Sequence, residues 1–228
     1  MRAMGILCLL ALAAGSARAQ EPTGLMAADE DMVQQLLKPR TAEALNAEYE
    51  AAKRRAETAD KEVEDANAFL SVARARVDVK KQEISLLKTR GKLAKKEGNA
   101  GKRAEIATLL AREEQGLDVF EAMRAAAAAQ KERAAAAARF SRSRMDVQQA
   151  ELDLARLHES RLGKTAAGDP AALLELQELD SKIRKSARAV LKSLREYAST
   201  SERLAETTDD LAKERLSLLD AWEKYKGL

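Results

Sequence analysis

Apolar residues recur at alternating steps of four and three positions between residues 45 and 94, and only Lys80 and Gly91 break the rule. A 3.5-residue period sustained for about seven heptads places these side chains in one seam along a helix and is typical of a left-handed coiled coil. The seam consists of Leu45, Tyr49, Ala52, Ala56, Ala59, Val63, Ala66, Leu70, Ala73, Val77, Lys80, Ile84, Leu87, Gly91 and Ala94. The pattern predicts a long helix that buries this seam against another helix.

A second seam with the same period occupies the last third of the chain, although four of its members are polar. It consists of Leu173, Leu176, Asp180, Ile183, Ala187, Val190, Leu194, Tyr197, Ser201, Leu204, Thr208, Leu211, Arg215, Leu218, Trp222 and Tyr225. This region is therefore also predicted to be one long helix with a buried side.

The middle third is helical in composition but less regular. Two runs of five alanines, residues 125–129 and 134–138, lie at its centre, and alanine is the strongest helix former. Two sets of apolar residues are each spaced to lie on one side of a helix. The first is Ile106, Leu110, Leu117, Phe120 and Ala127, and the second is Met145, Leu152, Ala155 and Leu162. A row of alanines buries little area, which favours a helix that packs closely on its neighbours.

Two breaks divide the helical sequence. The stretch EGNAG at 97–101 places glycines around an asparagine, a combination that ends a helix and turns the chain. Gly163 suits a helix terminator, and Asp169 and Pro170 suit the cap and first position of the next helix. With Thr41 as the first cap, the predicted helices are 41–97, 102–162 and 170–226. The predicted fold is all-α: an elongated antiparallel three-helix coiled-coil bundle with up-down-up topology.

Folding the chain about Asn99 and about Ala166 predicts which layers meet. The first run of alanines then lies beside Phe69, Leu70 and Leu204, and the second beside Val63, Leu194 and Tyr197. Phe120 falls level with Val77 and Leu211. Large residues meet small ones in the two alanine layers, as close packing requires. Paired hairpins from two chains satisfy the same pattern, so a homo-oligomer is an open alternative.

Residues 1–19 have the features of a signal peptide. Arg2 precedes an apolar run that is too short to span a bilayer, and Ala17 and Ala19 are small residues at the positions that a signal peptidase recognises. We expect cleavage before Gln20, and a retained membrane anchor is the alternative. Cleavage removes Cys8, the only cysteine, so no disulfide is expected. The chain has no Asn-x-Ser/Thr acceptor, which favours a bacterial periplasm, with secretion as the alternative.

The segment 20–40 is predicted to contain a short amphipathic helix. Its apolar residues are Leu25, Met26, Met32, Val33, Leu36 and Leu37. Because Asp29, Glu30 and Asp31 form an acidic face, insertion at an anionic membrane is disfavoured and docking on the bundle or on a partner is expected.

Charge and motifs disfavour several functions. Without residues 1–19 the chain has 38 basic and 37 acidic residues, a balance that argues against a nucleic-acid partner. Residues 163–165, Gly-Lys-Thr, end like a phosphate-binding loop, but the earlier glycine of that motif is replaced by His158 and a helix precedes instead of a strand. We interpret this stretch as a turn.

We expect no metal, no cofactor and no catalytic residue. His158 is the only histidine, and a metal site needs three or four converging ligands. The chain is accordingly predicted not to be an enzyme.

Basic residues concentrate around the first turn. Between residues 74 and 105 there are eleven Lys or Arg and four acidic residues. The candidate contact for an anionic membrane surface or an envelope protein is formed by Arg90, Lys92, Lys95, Lys96, Lys102 and Arg103. The alternative is a solvated helix face.

The first helix also carries an apolar row outside its main seam, which we call the apolar stripe: Phe69, Val72, Val79, Leu86 and Leu93. We expect the third helix to cover it, and otherwise it is an oligomer or client-binding surface. These features predict an exported, non-enzymatic scaffold or interaction protein of the bacterial cell envelope. The alternatives are a periplasmic holdase and a membrane-surface-binding or membrane-shaping module.

Overall fold

The computed structural model describes residues 40–166 and 172–227, which form three long α-helices. Helix α1 spans Ala42–Lys96, α2 spans Ala100–Ala166 and α3 spans Ala172–Lys226. With 55 residues, α1 and α3 are each about 80 Å long, and the 67-residue α2 is about 100 Å long. The predicted signal peptide and the segment 20–39 lie outside the described residues.

Helix α1 begins where the sequence predicts. Thr41 has extended backbone angles, and its Oγ1 accepts a hydrogen bond from the Ala44 N–H at 3.3 Å. Its carbonyl oxygen accepts from the Leu45 N–H at 3.1 Å. Thr41 is therefore the N-cap of α1, because it provides an acceptor for an amide that has no partner inside the helix.

The first turn is also confirmed. The Glu97 N–H still donates to the Leu93 carbonyl, and the chain then reverses at Gly98, whose φ is +68°. Asn99 caps the next helix, because its Oδ1 accepts from the Lys102 N–H at 3.0 Å. Helix α2 consequently begins at Ala100, two residues before the predicted start.

The predicted helix end at Gly163 is wrong. Helix α2 continues through Gly163, which has no positive φ, and ends at Ala166. The Thr165 hydroxyl donates to the Arg161 carbonyl oxygen at 2.7 Å within this last turn. Glycine permits a left-handed terminator but does not impose one, and its helix penalty is only about 1 kcal/mol. The predicted cap at Asp169 and the start at Pro170 lie outside the described residues.

The main seam of α1 is confirmed, since all of its predicted members are buried or half-buried. Leu45 packs in a cluster with Leu152 and Ala155. Leu70 and Ala73 pack on Ala127, where the fold about Asn99 predicts the first run of alanines to lie.

Contacts between α1 and α2 pair early residues of one helix with late residues of the other. Near the turn, Lys88 pairs with Glu114 at 2.9 Å. Far from the turn, the Ala42 N–H donates to Glu159 Oε1 at 2.9 Å. Lys81 with Glu121 and Arg142 with Asp60 lie in between. The same reversal holds between α2 and α3, where Ser143 and Thr200 hydroxyls lie 2.7 Å apart and Arg161 Nε donates to Asp180.

The position of α3 along α2 differs from the prediction. The ring of Tyr197 packs on Phe140, with centroids 4.9 Å apart, and Phe140 lies two residues beyond the second run of alanines. The displacement follows from the later end of α2, since a chain that turns later shifts every contact of the returning helix. Leu162, predicted to share a buried phase, is 62% exposed.

The predicted α3 seam is wrong at four positions. The row Leu176, Ile183, Val190, Tyr197, Leu204, Leu211, Leu218 and Tyr225 is buried or half-buried, as predicted. In the alternating row, Leu194, Thr208, Arg215 and Trp222 are exposed, whereas Asp180, Ala187 and Ser201 are half-buried. A row one position earlier, which the sequence did not predict, is also buried or half-buried: Leu179, Ser186, Ser193, Thr200, Thr207, Glu214 and Ala221. Hydropathy does not reveal this row, because Thr200 and Thr207 are polar. Their hydroxyls are nevertheless hydrogen-bonded, that of Thr200 with Ser143 of α2 and that of Thr207 with carbonyl oxygens of α3 itself.

Helix α2 lies between its two neighbours. Both α1 and α3 pack on α2, but no Cα atom of α1 lies within 8 Å of a Cα atom of α3. The alanine-rich centre of α2 suits this position, since Ala126, Ala127, Ala134, Ala136 and Ala138 are all buried. Small side chains let two helices approach one backbone. As a consequence, α1 and α3 each keep an uncovered side.

Candidate interaction surfaces

The α1–α2 hairpin extends beyond the end of α3. Tyr225, in the last turn of α3, packs at Gly116 of α2, where a Cβ atom would lie 3.6 Å from Tyr225 Cε2. The first sixteen residues of α2 and the facing part of α1 therefore lie past the last turn of α3. This is a length of about 24 Å. We call residues 89–112 the hairpin end.

The hairpin end is strongly basic, with seven Lys or Arg and two Glu. The six predicted contact residues, Arg90, Lys92, Lys95, Lys96, Lys102 and Arg103, are all exposed and lie together at this end. None of them forms an ion pair with another residue of the described ranges.

Cations nearer the centre of α1 are neutralised by α2. Lys81 pairs with Glu121, and Lys88 pairs with Glu114, each at 2.9 Å. The acidic partners on α2 stop before the hairpin end, so its positive charge is left uncompensated.

Helix stability explains only part of this charge. Lys95 and Lys96 lie in the last turn of α1, where the helix dipole favours cations. Lys102 and Arg103 lie in the first turn of α2, which contains no acidic residue. Cations are unfavourable at that end of a helix. Helix stability therefore does not explain Lys102 and Arg103, whereas contact with an external anion would.

The apolar stripe of α1 is exposed, and the expectation that the third helix covers it is wrong. The exposed fractions are 45% for Phe69, 50% for Val72, 54% for Val79, 61% for Leu86 and 52% for Leu93. Because α3 packs only on α2, it does not reach this side of α1. Val72 and Val79 line an open groove of about 400 Å³ whose other wall includes Phe120.

At the hairpin end, the stripe meets the basic residues. Leu93 lies three positions from both Arg90 and Lys96, which places the three on neighbouring parts of one helix surface. Leu109 of α2 is 49% exposed at the same end and was missed by the sequence prediction, which assigned Leu110 to the seam. Exposed leucines and unpaired cations therefore lie at the same end of the hairpin.

A partly buried charge cluster lies where the apolar stripe meets α2. Lys80 is 18% exposed, donates to Glu83 at 2.9 Å, pairs with Glu113 and lies 5.9 Å from the centre of the Phe120 ring. Burial lowers the pKa of Lys80, but the hydrogen bonds that its ammonium donates to Glu113 and Glu83, together with their negative charges, outweigh this effect and leave the pKa above its ordinary value. Lys80 is held as a cation, which explains how a charged residue occupies the main seam.

The residues with candidate chemistry do not assemble. Gly163, Lys164 and Thr165 lie in the last turn of α2, a helix end that presents carbonyl oxygens, and Lys164 pairs with Glu175. The interpretation of this stretch as a turn is thus corrected to a helix end. Within residues 40–166 and 172–227, no group of three His, Cys, Asp or Glu side chains is placed to hold a metal ion. In the same ranges, no helix is long and apolar enough to cross a membrane.

No protein-family model, curated protein or solved structure matches this chain.

Proposed function

We propose that this chain is an exported, non-enzymatic scaffold of the bacterial cell envelope whose hairpin end binds an anionic lipid surface. In this proposal the helices form an antiparallel, up-down-up three-helix coiled coil in the periplasm. The long helical unit holds partners at a distance from that surface. One observation carries the proposal: six exposed, unpaired cations lie beside exposed leucines, beyond the last turn of α3.

Lipid suits this surface for two reasons. Basic residues near an anionic bilayer contribute about 1 kcal/mol each, and the unpaired cations do not have to break an internal ion pair first. Leu86, Leu93 and Leu109 supply apolar side chains that enter the boundary between headgroups and acyl chains. An acidic envelope protein is the competing partner, and it gains less from exposed leucines between the cations.

Vesicle co-sedimentation tests the proposal. The full chain is expected to bind vesicles of phosphatidylglycerol and phosphatidylethanolamine at low salt, to lose binding as salt rises, and not to bind phosphatidylcholine vesicles. Reversing Lys95, Lys96, Lys102 and Arg103 to Glu is expected to weaken binding more than about tenfold. Helicity should not change, because all four side chains are exposed.

The matched control reverses four exposed cations at the other end of α1: Lys53, Arg54, Arg55 and Lys61. Both variants have the same net charge, so a general charge effect reduces binding equally in the two. Equal loss, or no salt-sensitive binding by the unchanged protein, would contradict the proposal.

The exposed apolar stripe supports a second candidate function, a periplasmic holdase. Val72, Val79 and Phe120 line a groove that suits an apolar segment of an unfolded client. A holdase suppresses aggregation of a denatured model protein, and Val72→Ser with Val79→Ser, both in the groove, should abolish that suppression without affecting vesicle binding through the hairpin end.

A further inference from the structure

Helix α3 has a second seam that faces solvent. Beside the row that packs on α2, small and apolar residues again recur at steps of four and three positions. We call this the outer seam: Ala187, Leu191, Leu194, Ala198, Ser201, Ala205, Thr208 and Ala212. Leu191 is 57% exposed and Leu194 is 41% exposed, while Ala198, Ala205 and Ala212 are also exposed. A sustained 3.5-residue period is typical of a helix that packs on another helix, yet no helix of the described ranges covers this one.

Charges along α3 are divided into two blocks. Residues 181–195 contain six basic residues and no acidic one, whereas residues 196–214 contain six acidic and two basic residues. Four members of these blocks border the outer seam at heptad spacing: Arg188, Arg195, Glu202 and Asp209. All four are exposed, and none forms an ion pair within the described part of the chain.

We infer that the outer seam binds the outer seam of a second copy of this chain, with the two α3 helices antiparallel. An antiparallel pair places the basic block of each copy on the acidic block of the other. The relationship is two-fold symmetric, so every contact occurs twice. A parallel pair would instead place like charges side by side.

One register satisfies both the seam and the charges. When Ala198 faces Ser201 of the second copy, Leu194 faces its Ala205 and Leu191 faces its Thr208. Each of the two leucines then meets a smaller residue, as close packing requires. In the same register, the charged residues that border the outer seam also meet: Arg195 lies beside Glu202 of the second copy, and Arg188 lies beside its Asp209. Four interchain ion pairs result, and they specify orientation as flanking charges do in coiled coils.

The charge arrangement is tested with two complementary variants of the full chain. Arg188→Glu with Arg195→Glu makes all four border positions acidic, and Glu202→Arg with Asp209→Arg makes them all basic. Each variant alone is expected to dimerise at least about tenfold more weakly than the unchanged chain by sedimentation equilibrium. An equimolar mixture of the two should form a heterodimer. All four side chains are exposed, so circular dichroism should report unchanged helicity.

Orientation is tested with Ala187→Cys and Ala212→Cys in a Cys8→Ser background. The proposed register places residue 187 opposite residue 212 of the second copy, within the roughly 6 Å Cα separation that a disulfide needs. Oxidation of the double variant should therefore join 187 to 212, as peptide mapping would show, and Ala187→Cys alone should not join to itself. In a parallel pair, residues 187 and 212 lie about 37 Å apart and 187 joins 187.

A chain that is monomeric at high micromolar concentration would overturn the inference. So would dimers that are insensitive to both charge variants, or disulfides between identical positions. None of the substitutions touches the hairpin end, so loss of vesicle binding and loss of dimerisation are separate outcomes.

Discussion

Lys80 of α1 and Tyr225 of α3 pack against the same backbone point, Gly116 of the central helix. A Cβ atom at Gly116 would lie 3.3 Å from Lys80 Cε and 3.6 Å from Tyr225 Cε2. Although α1 and α3 do not pack on each other along their lengths, their side chains converge at this glycine. The junction also marks where α3 ends and the hairpin end begins to extend alone.

Gly116→Leu is expected to destabilise the protein by about 1–3 kcal/mol in urea unfolding, because the new side chain displaces both neighbours. Gly163→Leu is the control. Gly163 is also helical but has no heavy atom within 4 Å of its would-be Cβ, so leucine should stabilise by up to about 1 kcal/mol through helix propensity. Equal effects at the two sites would contradict the convergence at Gly116.

Lys80→Ala is expected to cost about 1–2 kcal/mol of unfolding free energy, since Glu113 and Glu83 lose their partner. Lys81→Ala removes a neighbouring interhelix pair with Glu121 that is about half exposed, and it should cost less than about 0.5 kcal/mol.

The Lys80 contribution should depend on pH in one direction. Because the folded-state pKa lies above the ordinary 10.5, the stabilisation is fully present below pH 10.5 and is lost as pH rises through the folded value. The difference in unfolding free energy between the unchanged protein and Lys80→Ala should therefore be constant near neutral pH and shrink in strong alkali. A difference that grows with pH would contradict this account.

Gly98→Ala should destabilise the hairpin by about 1–2 kcal/mol, because a residue with a Cβ is strained at φ +68°. Gly101 is the second residue of α2, and a Cβ atom there would make an ordinary 3.7 Å contact with Asn99 Oδ1. Gly101→Ala should therefore be neutral or stabilising. Thermal unfolding of the two variants side by side checks the result. If Gly98→Ala is as stable as Gly101→Ala, the turn does not need its left-handed residue.

Export predicts a specific processed product. Mass spectrometry of the protein from the periplasm of a bacterial host should give a chain that begins at Gln20. Ala19→Arg should block this cleavage, because signal peptidase needs a small residue there. An unprocessed chain that begins at Met1 would contradict the signal-peptide prediction.

Much of the fold follows from sequence because local rules act at the decisive points. The main seam of α1, the cap at Thr41 and the turn at Gly98 each depend on neighbouring residues, and each is confirmed. The helix end predicted at Gly163 is wrong, because whether a glycine ends a helix depends on its tertiary surroundings and not on propensity alone. The predicted register of α3 on α2 is wrong for the same reason, since it depended on that helix end.

The site was predicted less completely. The basic residues and the apolar stripe are recognisable from the sequence. Whether the third helix covers them is not, because that depends on how the helices are arranged. The sequence prediction also merged two rows of α3 into one seam, because Leu194 and Trp222 are more apolar than Thr200 and Thr207, which actually face α2. Hydrogen-bonded threonines and serines in an interface give no hydropathy signal.

The central claim, that the hairpin end enters an anionic lipid surface, is tested most directly by a tryptophan at Leu93 in a Trp222→Phe background. On phosphatidylglycerol-containing vesicles its fluorescence should shift to the blue and become protected from iodide, and salt should reverse both changes. Leu162→Trp in the same background is the control, since Leu162 is also exposed, at 62% against 52% for Leu93, but lies about 90 Å along α2 from the start of that helix. A blue shift at position 93 and none at 162 is the predicted result. No shift at 93, or equal shifts at both positions, would contradict the account.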